Sequence, residues 1–295
     1  MALHRRRPLL ILLATALAAV LAAAGCSGVR LAYNTADFFI QDYADDYLGL
    51  HDAQKARWTP ILDAALEQHR AEELPHLAAF FDTALDDVRS GFTRDNLDCL
   101  LDQFEALYQS HFRLAVQAAA PLLAELDRQQ IDALERTFRE EAREDAAETG
   151  AKPAERRARK RARRYEDNMD WWIGELSSRQ RGIVRDVTRR LPDTAPAWYE
   201  YRDRKRRELI ALLRAGASEQ RIERFMTDWI VEFQDMPASL REARGALRQG
   251  WTDLILRLQP TFSPDQRSRL EQRLSRLRND FMALQHQPRM APTGC

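Results

Sequence analysis

The sequence predicts an all-α fold, an elongated array of amphipathic helices and helical hairpins with no sheet. Three observations carry that prediction. Apolar residues recur at intervals of three and four along most of the chain, the stripe of a helix with one buried face. Aromatic and β-branched residues never alternate with polar ones, so strand signals are absent. Only 11 glycines and 12 prolines occur in 295 residues, too few turn formers for many short strands.

The elements follow in order. A first helical pattern, rich in aromatics, begins by about Thr35 and includes Phe38, Phe39, Ile40, Tyr43 and Tyr47, with Tyr33 just before it. It reads as a helix facing the core, with a helix lying at a membrane interface as the alternative, since aromatic rings favour headgroup level. Leu97, Leu100, Leu101, Phe104, Leu107, Tyr108 and Phe112 form the next clear stripe. Ile222, Phe225, Met226, Trp229, Ile230 and Phe233 form another, and Leu240, Ala243, Leu247, Trp251, Leu254 and Leu258 a third. The last helix steps 4-3-4-3 through Leu270, Leu274, Leu277, Phe281 and Leu284, the seam of two helices packed side by side. The six tryptophans read as core or half-buried seam residues.

Several helix starts share one grammar. Leu176-Ser177-x-x-Gln180 and Phe262-Ser263-x-x-Gln266 read apolar, hydroxyl, two residues, Gln. Leu126-Asp127-x-x-Gln130 substitutes an Asp, Phe92-Thr93-x-x-Asn96 ends in Asn, and Leu50-His51-x-x-Gln54 is a looser version. These are capping boxes, in which the first side chain accepts from an orphan backbone N–H and the Gln reaches back to another. Pro264 fits the first turn, where its missing N–H has no helical partner. A set of such boxes resembles the L-T-x-x-Q motif of periplasmic helical stress chaperones of the Spy and CpxP kind. Leu-Thr-x-x-Gln itself never occurs here, and capping alone accounts for the spacing.

The N-terminus carries an address. Arg5-Arg6-Arg7 precede a charge-free apolar run from Leu9 to Ala24, closed by small residues. This is the layout of a secretory signal, and it is shorter than the ~20 apolar residues of a spanning helix. Ala23-Ala24-Gly25-Cys26 resembles the bacterial lipobox, which implies cleavage before Cys26 and lipid attachment at its thiol and amine. By the same resemblance Ser27, in place of an Asp, implies sorting to the outer membrane, on its periplasmic face. An uncleaved signal anchor is the alternative. The expected organisation is a signal peptide over 1–25, a lipidated N-terminus and short tether over 26–34, one helical domain over 35–286 and a flexible tail over 287–295.

A broader resemblance runs along nearly the whole mature chain. Gly25-Cys26-Ser27, Arg30-Leu31-Ala32-Tyr33-Asn34, Asp52-Ala53-Gln54-Lys55, His69-Arg70 with Glu73-Leu74-Pro75, and Trp172-Ile173-Gly174-Glu175-Leu176-Ser177 with Gln180 resemble an uncharacterised, domain-of-unknown-function family of Gram-negative lipoproteins. The resemblance implies a lipoprotein and brings no activity or catalytic residue with it.

Charge is balanced at 45 basic and 45 acidic residues, and loss of Arg5, Arg6 and Arg7 leaves the mature chain slightly acidic. That gives no overall basic field of the kind nucleic-acid binders carry. One segment stands out. Glu135, Glu140, Glu141, Glu144, Asp145 and Glu148 lead through Gly150 and Pro153 to Arg156, Arg157, Arg159, Lys160, Arg161, Arg163 and Arg164. Gly150 stops a helix and Pro153 starts one, so 127–176 reads as a helical hairpin with an acidic arm beside a basic one. Either the arms neutralise one another or the seven cations form a surface for an anionic partner.

Enzymatic signatures are lacking: no nucleophile motif, no Gly-rich phosphate loop, no paired-Cys metal spacing, and so no expected cofactor. His69, Glu73 and His76, with Glu72, form a weak metal candidate, since i,i+4 spacing places His69 near Glu73, but Pro75 disturbs that helix. Cys99 and Cys295 could bridge if the compartment is the oxidising periplasm. The reading is a non-enzymatic envelope lipoprotein that binds other macromolecules as a chaperone or adaptor. The alternative is a structural or assembly lipoprotein with one dedicated envelope partner, and a metal-dependent enzyme is a remote third.

Overall fold

The computed structural model describes residues 28–150 and 154–292. Cys26, Ser27, the signal segment and Cys295 lie outside the described residues. Every regular element described is helical, as the stripes predict. In chain order the helices are α1 Gly28–Asn34, α2 Ala36–Leu48, α3 Asp52–Gln68, α4 Leu74–Ser90, α5 Arg94–Ala124, α6 Arg128–Gly150, α7 Ala154–Ile173, α8 Ser178–Arg190, α9 Ala195–Arg214, α10 Glu219–Met226, α11 Ala238–Leu258 and α12 Pro264–Ala283. Five-residue π turns at His69–Glu73 and Thr227–Val231 follow α3 and α10. None of the described helices is long and apolar enough to cross a membrane.

The apolar stripes assemble two large cores, beside a small third cluster of Tyr201, Met236 and Leu240. The first gathers Leu48, Trp58, Leu62, Leu122, Leu123, Ile131, Leu134, Leu209, Leu213 and Ile222 from α2, α3, the end of α5, α6, α9 and α10. The second gathers Leu85, Val88, Leu97, Leu100, Ile173, Leu176, Val184, Leu254, Leu258, Leu270 and Leu274 from α4, the start of α5, α7, α8, α11 and α12. Helix α5 joins them: its 31 residues at 1.5 Å rise extend ~46 Å, with Leu97 in one core and Leu123 in the other. The seam predicted for the last helix packs on α4, where Phe81 and Phe281 stack at 5.6 Å.

Each core is closed by two capping boxes that dock on one another. In the first, Gln54 Nε2 donates to Gln130 Oε1 at 3.0 Å and Gln130 Nε2 returns the bond to Gln54 Oε1 at 2.8 Å. Each amide oxygen also accepts from its own cap, His51 N–H at 3.0 Å and Asp127 N–H at 2.9 Å. Each amide nitrogen donates to the carbonyl two residues before the opposite cap, Glu125 O and Gly49 O, both at 2.9 Å. The second core repeats the pattern. Gln180 and Gln266 exchange bonds at 2.8 and 3.1 Å, accept from Ser177 and Ser263 N–H, and donate to Thr261 O and Glu175 O. A primary amide has two donors and two acceptor lone pairs, and all four are used at every one of these glutamines. Gly49 (φ +61°) and Gly174 (φ +87°) precede two of the boxes, in the left-handed region that L side chains avoid.

Four expectations are corrected. The first helix starts at Gly28 and not near Thr35, so 28–34 is not a tether. Its inner face is held to the body by Arg30, whose Nε lies 2.9 Å from the buried Asp280, and by Tyr33, whose hydroxyl meets His69 Nδ1 at 2.9 Å. The aromatics of α2 divide: Tyr47 turns inward against Phe138, while Phe38, Phe39 and Tyr43 are 60–68% exposed. Third, α6 and α7 do not form a hairpin of facing arms. Helix α6 packs on α9 and α7 packs on α8, because the apolar base of each arm enters a different core. The tail, expected to be flexible, is tied down at two points: Arg289 reaches Ala71 O at 3.1 Å and Ala291 N–H donates to Pro75 O at 3.1 Å. Pro75 has no N–H to offer Ala71 O, so the arginine takes a carbonyl that the proline leaves open.

Candidate functional site

Helix α7 sorts its seven basic residues by face. Its inward side reads Arg157, Arg161, Tyr165, Met169 and Trp172, at intervals of four, four, four and three. The last three pack against the second core. The two arginines close the C-terminus of α8: Arg161 donates from Nε to Thr188 O at 3.2 Å and from Nη2 to Leu191 O at 3.1 Å. Arg157 Nε pairs with Asp193 Oδ2 at 2.7 Å. Terminal helix carbonyls have no helical donors, and a guanidinium supplies them while complementing the negative end of the dipole. These two residues are structural.

Arg156, Arg159, Lys160, Arg163 and Arg164 are exposed on the outer side. Positions i, i+3, i+4, i+7 and i+8 fall on one helical face, so the five make a continuous stripe. Arg159 has Glu155 at 4.0 Å, with both side chains at least 75% exposed, a pairing that solvent leaves weak. Trp171, 50% exposed, extends the same face toward the C-terminal end of α7. Its ring is held edge-on against Trp172 at 4.7 Å and beneath the Arg273 guanidinium at 4.4 Å. Asp167 is the exposed acid between the stripe and that ring.

The acidic arm meets other partners. On α6, Glu141 pairs with Arg206 and accepts from the Tyr47 hydroxyl at 3.1 Å, and Asp145 pairs with Arg202. Asp132 and Glu135 both hold Arg214, each at 2.7 Å. The hydrogen bonds from Arg139 and Arg214 hold the Glu135 carboxyl below the usual range, and burial with Glu141 alongside pushes the Tyr47 phenol up. Three arginines of α9 therefore neutralise the arm that charge pattern alone matched to α7. Glu140 and Glu144 remain exposed on α6.

The metal candidate resolves differently. His69 opens the π turn, Glu73 is buried and His76 is exposed on α4. His69 stacks edge-on with His111, ring centroids 4.7 Å apart, while its Nδ1 meets Tyr33. Glu73 accepts from the Ser110 hydroxyl and lies 3.7 Å from His111 Nδ1. Among the described residues, no group of three or more His, Cys, Asp or Glu is arranged to hold a metal ion. The cluster joins α1, the π turn and the middle of α5. Burial, then His111 and Arg70, lower His69 to about 4, and burial pushes Tyr33 up to about 12. Tyr33 and His111 were invisible as partners because each lies more than thirty residues from His69; only the fold brings them in. Cys99 is half-buried and disulfide-bonded, and the other half of that bond lies outside the described residues.

Concave sites offer little for a small molecule. A depression of about 420 Å³ is walled by the polar and charged residues Gln220, Glu223, Arg224, Thr227, Asp228 and Glu232, unlike the aliphatic and aromatic lining of most drug-sized ligand sites.

Residues 46–235 match the model of a protein family described as a family of unknown function, DUF6279. No curated protein matches the chain, and no solved structure does.

Proposed function

We propose that this chain, which belongs to the DUF6279 family, is a lipid-anchored envelope protein without enzymatic chemistry that holds an anionic macromolecule on the outer face of α7. The observation that carries this reading is the exposed cationic stripe Arg156, Arg159, Lys160, Arg163 and Arg164, set on a different helix from the acidic arm, which meets arginines of α9. Electrostatic attraction to such a stripe needs no shaped pocket, and Trp171 adds a rigid ring, the residue type that anchors interfaces. The lipobox-like Ala23-Ala24-Gly25-Cys26 supports attachment at Cys26, and Ser27 supports delivery to the periplasmic face of the outer membrane.

Between client holding and a dedicated partner, the fixed orientation of Trp171 favours the second: a packed helix face presents one pattern, whereas promiscuous surfaces re-pack. The test is crosslinking in intact cells, affinity capture and mass spectrometry, on the native chain and on Arg156→Glu/Arg163→Glu/Arg164→Glu. One stoichiometric envelope partner, lost from the triple variant, is the expected result. A broad set of unfolded exported proteins assigns client holding instead. Capture that survives the triple charge reversal removes α7 from the function.

A further inference from the structure

The exposed aromatic face of α1–α2 has a position that identifies its occupant. Leu31, Phe38, Phe39 and Tyr43 are 59–68% exposed and Ile40 38%. Phe38 and Phe39 touch edge-to-face at 5.4 Å, so the patch is ordered by its own contacts. Leu31 lies on α1 and the other four on α2. The helix pair is tied to the body by Arg30 to Asp280, by Tyr33 to His69 and beneath the Arg70 guanidinium at 4.8 Å, and by Tyr47, which stacks on Tyr43 at 5.6 Å and bonds Glu141. The face is therefore presented outward by a helix pair that cannot roll it inward without breaking buried polar contacts.

What lies upstream is specific. The sixteen residues from Leu9 to Ala24 carry no charge, and Gly28 is only two positions after Cys26, with Ser27 between them. Two residues of backbone reach roughly 7 Å, and the rise from Gly28 to Phe38 is ~15 Å. On the lipid-anchored reading, the chain enters α1 from a bilayer. Phe38 and Phe39 then lie within ~25 Å of that surface by covalent connection alone.

We propose that Leu31, Phe38, Phe39, Ile40 and Tyr43 rest in the headgroup region of the membrane that holds the N-terminus, so that the protein docks in one fixed orientation. The proposal rests on the lipid-anchored reading. Aromatic rings are favoured at headgroup depth, and an amphipathic helix binds there through its apolar face. Asp37 and Asp42 are exposed among these residues and Asp46 just past them, so their carboxylates stay at the aqueous edge while the rings reach headgroup depth. Because Arg30 lies four residues after Cys26 and is bonded to α12, the body follows the helix and does not swing on a linker.

The test uses the full chain as the cell processes it, in vesicles of phosphatidylethanolamine and phosphatidylglycerol. A fluorescent amino acid is incorporated at position 39 or, as control, at position 163, and nitroxide-bearing lipids act as quenchers. Several-fold stronger quenching at 39 than at 163 is expected, and Leu31→Ser/Phe38→Ser should bring position 39 back to the control level. Equal quenching at the two positions overturns the proposal. Self-quenching between labelled copies without lipid quenching also overturns it, assigning the face to a second copy. Mass spectrometry of the N-terminal peptide reads acylation separately. An acylated chain with no quenching at 39 sinks the docking and leaves the anchor intact, whereas quenching without acylation supports the docking and sinks the anchor.

Discussion

At one end of the molecule Gln54 and Gln130 exchange hydrogen bonds between α3 and α6; at the other, Gln180 and Gln266 do the same between α8 and α12. The amide geometry is shared to the level of which carbonyl each nitrogen finds, but the caps are not. The second pair sits beneath two serines. The first sits beneath His51 and Asp127, whose side chains meet at 2.9 Å, so a hydrogen bond spans the same two helices that the amides join. A fifth box shows what the pairing requires. Asn96 also reaches back to its cap, Thr93 N–H, at 2.8 Å, but its second bond goes to the adjacent Asp87 at 3.1 Å. One methylene shorter, it caps its own helix and locks nothing distant. A capping box becomes a tertiary lock when the reaching side chain is long enough to meet a second box.

The largest effect is expected from breaking one lock. Gln54→Ala strands the buried Gln130 amide along with Glu125 O, and an unsatisfied buried polar group costs about 1–3 kcal/mol. Because the Gln54–Gln130 exchange is the buried one of the bonds Gln54 makes, unfolding in urea should register a loss within that range. Gln180→Ala should cost less, because Gln266 is partly exposed and water replaces part of what is lost. A double-mutant cycle should show coupling of at least about 0.5 kcal/mol within each pair and additivity between pairs, which lie in separate cores. Coupling between Gln54 and Gln180 would break the comparison.

Acid should separate the two halves at their junction. The unfolded chain protonates a histidine near 6.5, while folded His69 resists until about 4. Stability from this group is complete above 6.5 and falls as pH drops from 6.5 to 4, by up to about 3 kcal/mol. Urea unfolding of the native chain should steepen in that window, and His69→Gln should flatten it. An unchanged slope in the variant would assign the acid sensitivity elsewhere.

Removing the local cap tests the solitary box. Thr93→Ala should cost about 1 kcal/mol, as for other N-cap hydroxyls, with no loss of amide protection in α6 or α12. Propagation into either would mean that this box is also a lock.

The smallest effect distinguishes the caps of the two locks. The Gln130 backbone N–H, then the His51 side chain, hold the Asp127 carboxyl below its ordinary value. Its contribution is present above the unfolded carboxylate value and is lost as pH falls through the folded one. Hydrogen exchange at α3 and α6 should therefore accelerate in strong acid before exchange at α8 and α12, and Asp127→Asn should remove the difference. Equal acceleration in the native chain would show that the His51–Asp127 pair adds nothing to its lock.

Much of the candidate face is legible in the amino-acid sequence. The seven cations of α7 share one run of residues, and the periodicity places them on a helix. Their division is not legible there, because Arg157 and Arg161 are turned inward by the termination of α8, thirty residues on. The hairpin expected over 127–176 failed for a related reason. Opposite charges adjacent in sequence suggest each other, but exposed pairs contribute little. The apolar bases, Ile131 and Leu134 against Ile173 and Leu176, sent the arms to different cores. Phe38 and Phe39 show the converse: an aromatic in a helical stripe implies a buried face only if some element is there to cover it.

By itself the sequence determined the helices, their caps and the glutamines that reach back, since these depend on contacts within a turn or two. It also supplied the apolar run before Cys26, a linear pattern from which a leader and a lipid anchor are expected. Tertiary structure alone decided which boxes meet, which arginines remain exposed, that His69 faces His111, and that the outer face of α2 is left bare. Those outcomes turn on which apolar faces bury one another. Side-chain burial is non-directional, so a stripe announces that it will be covered without naming what covers it.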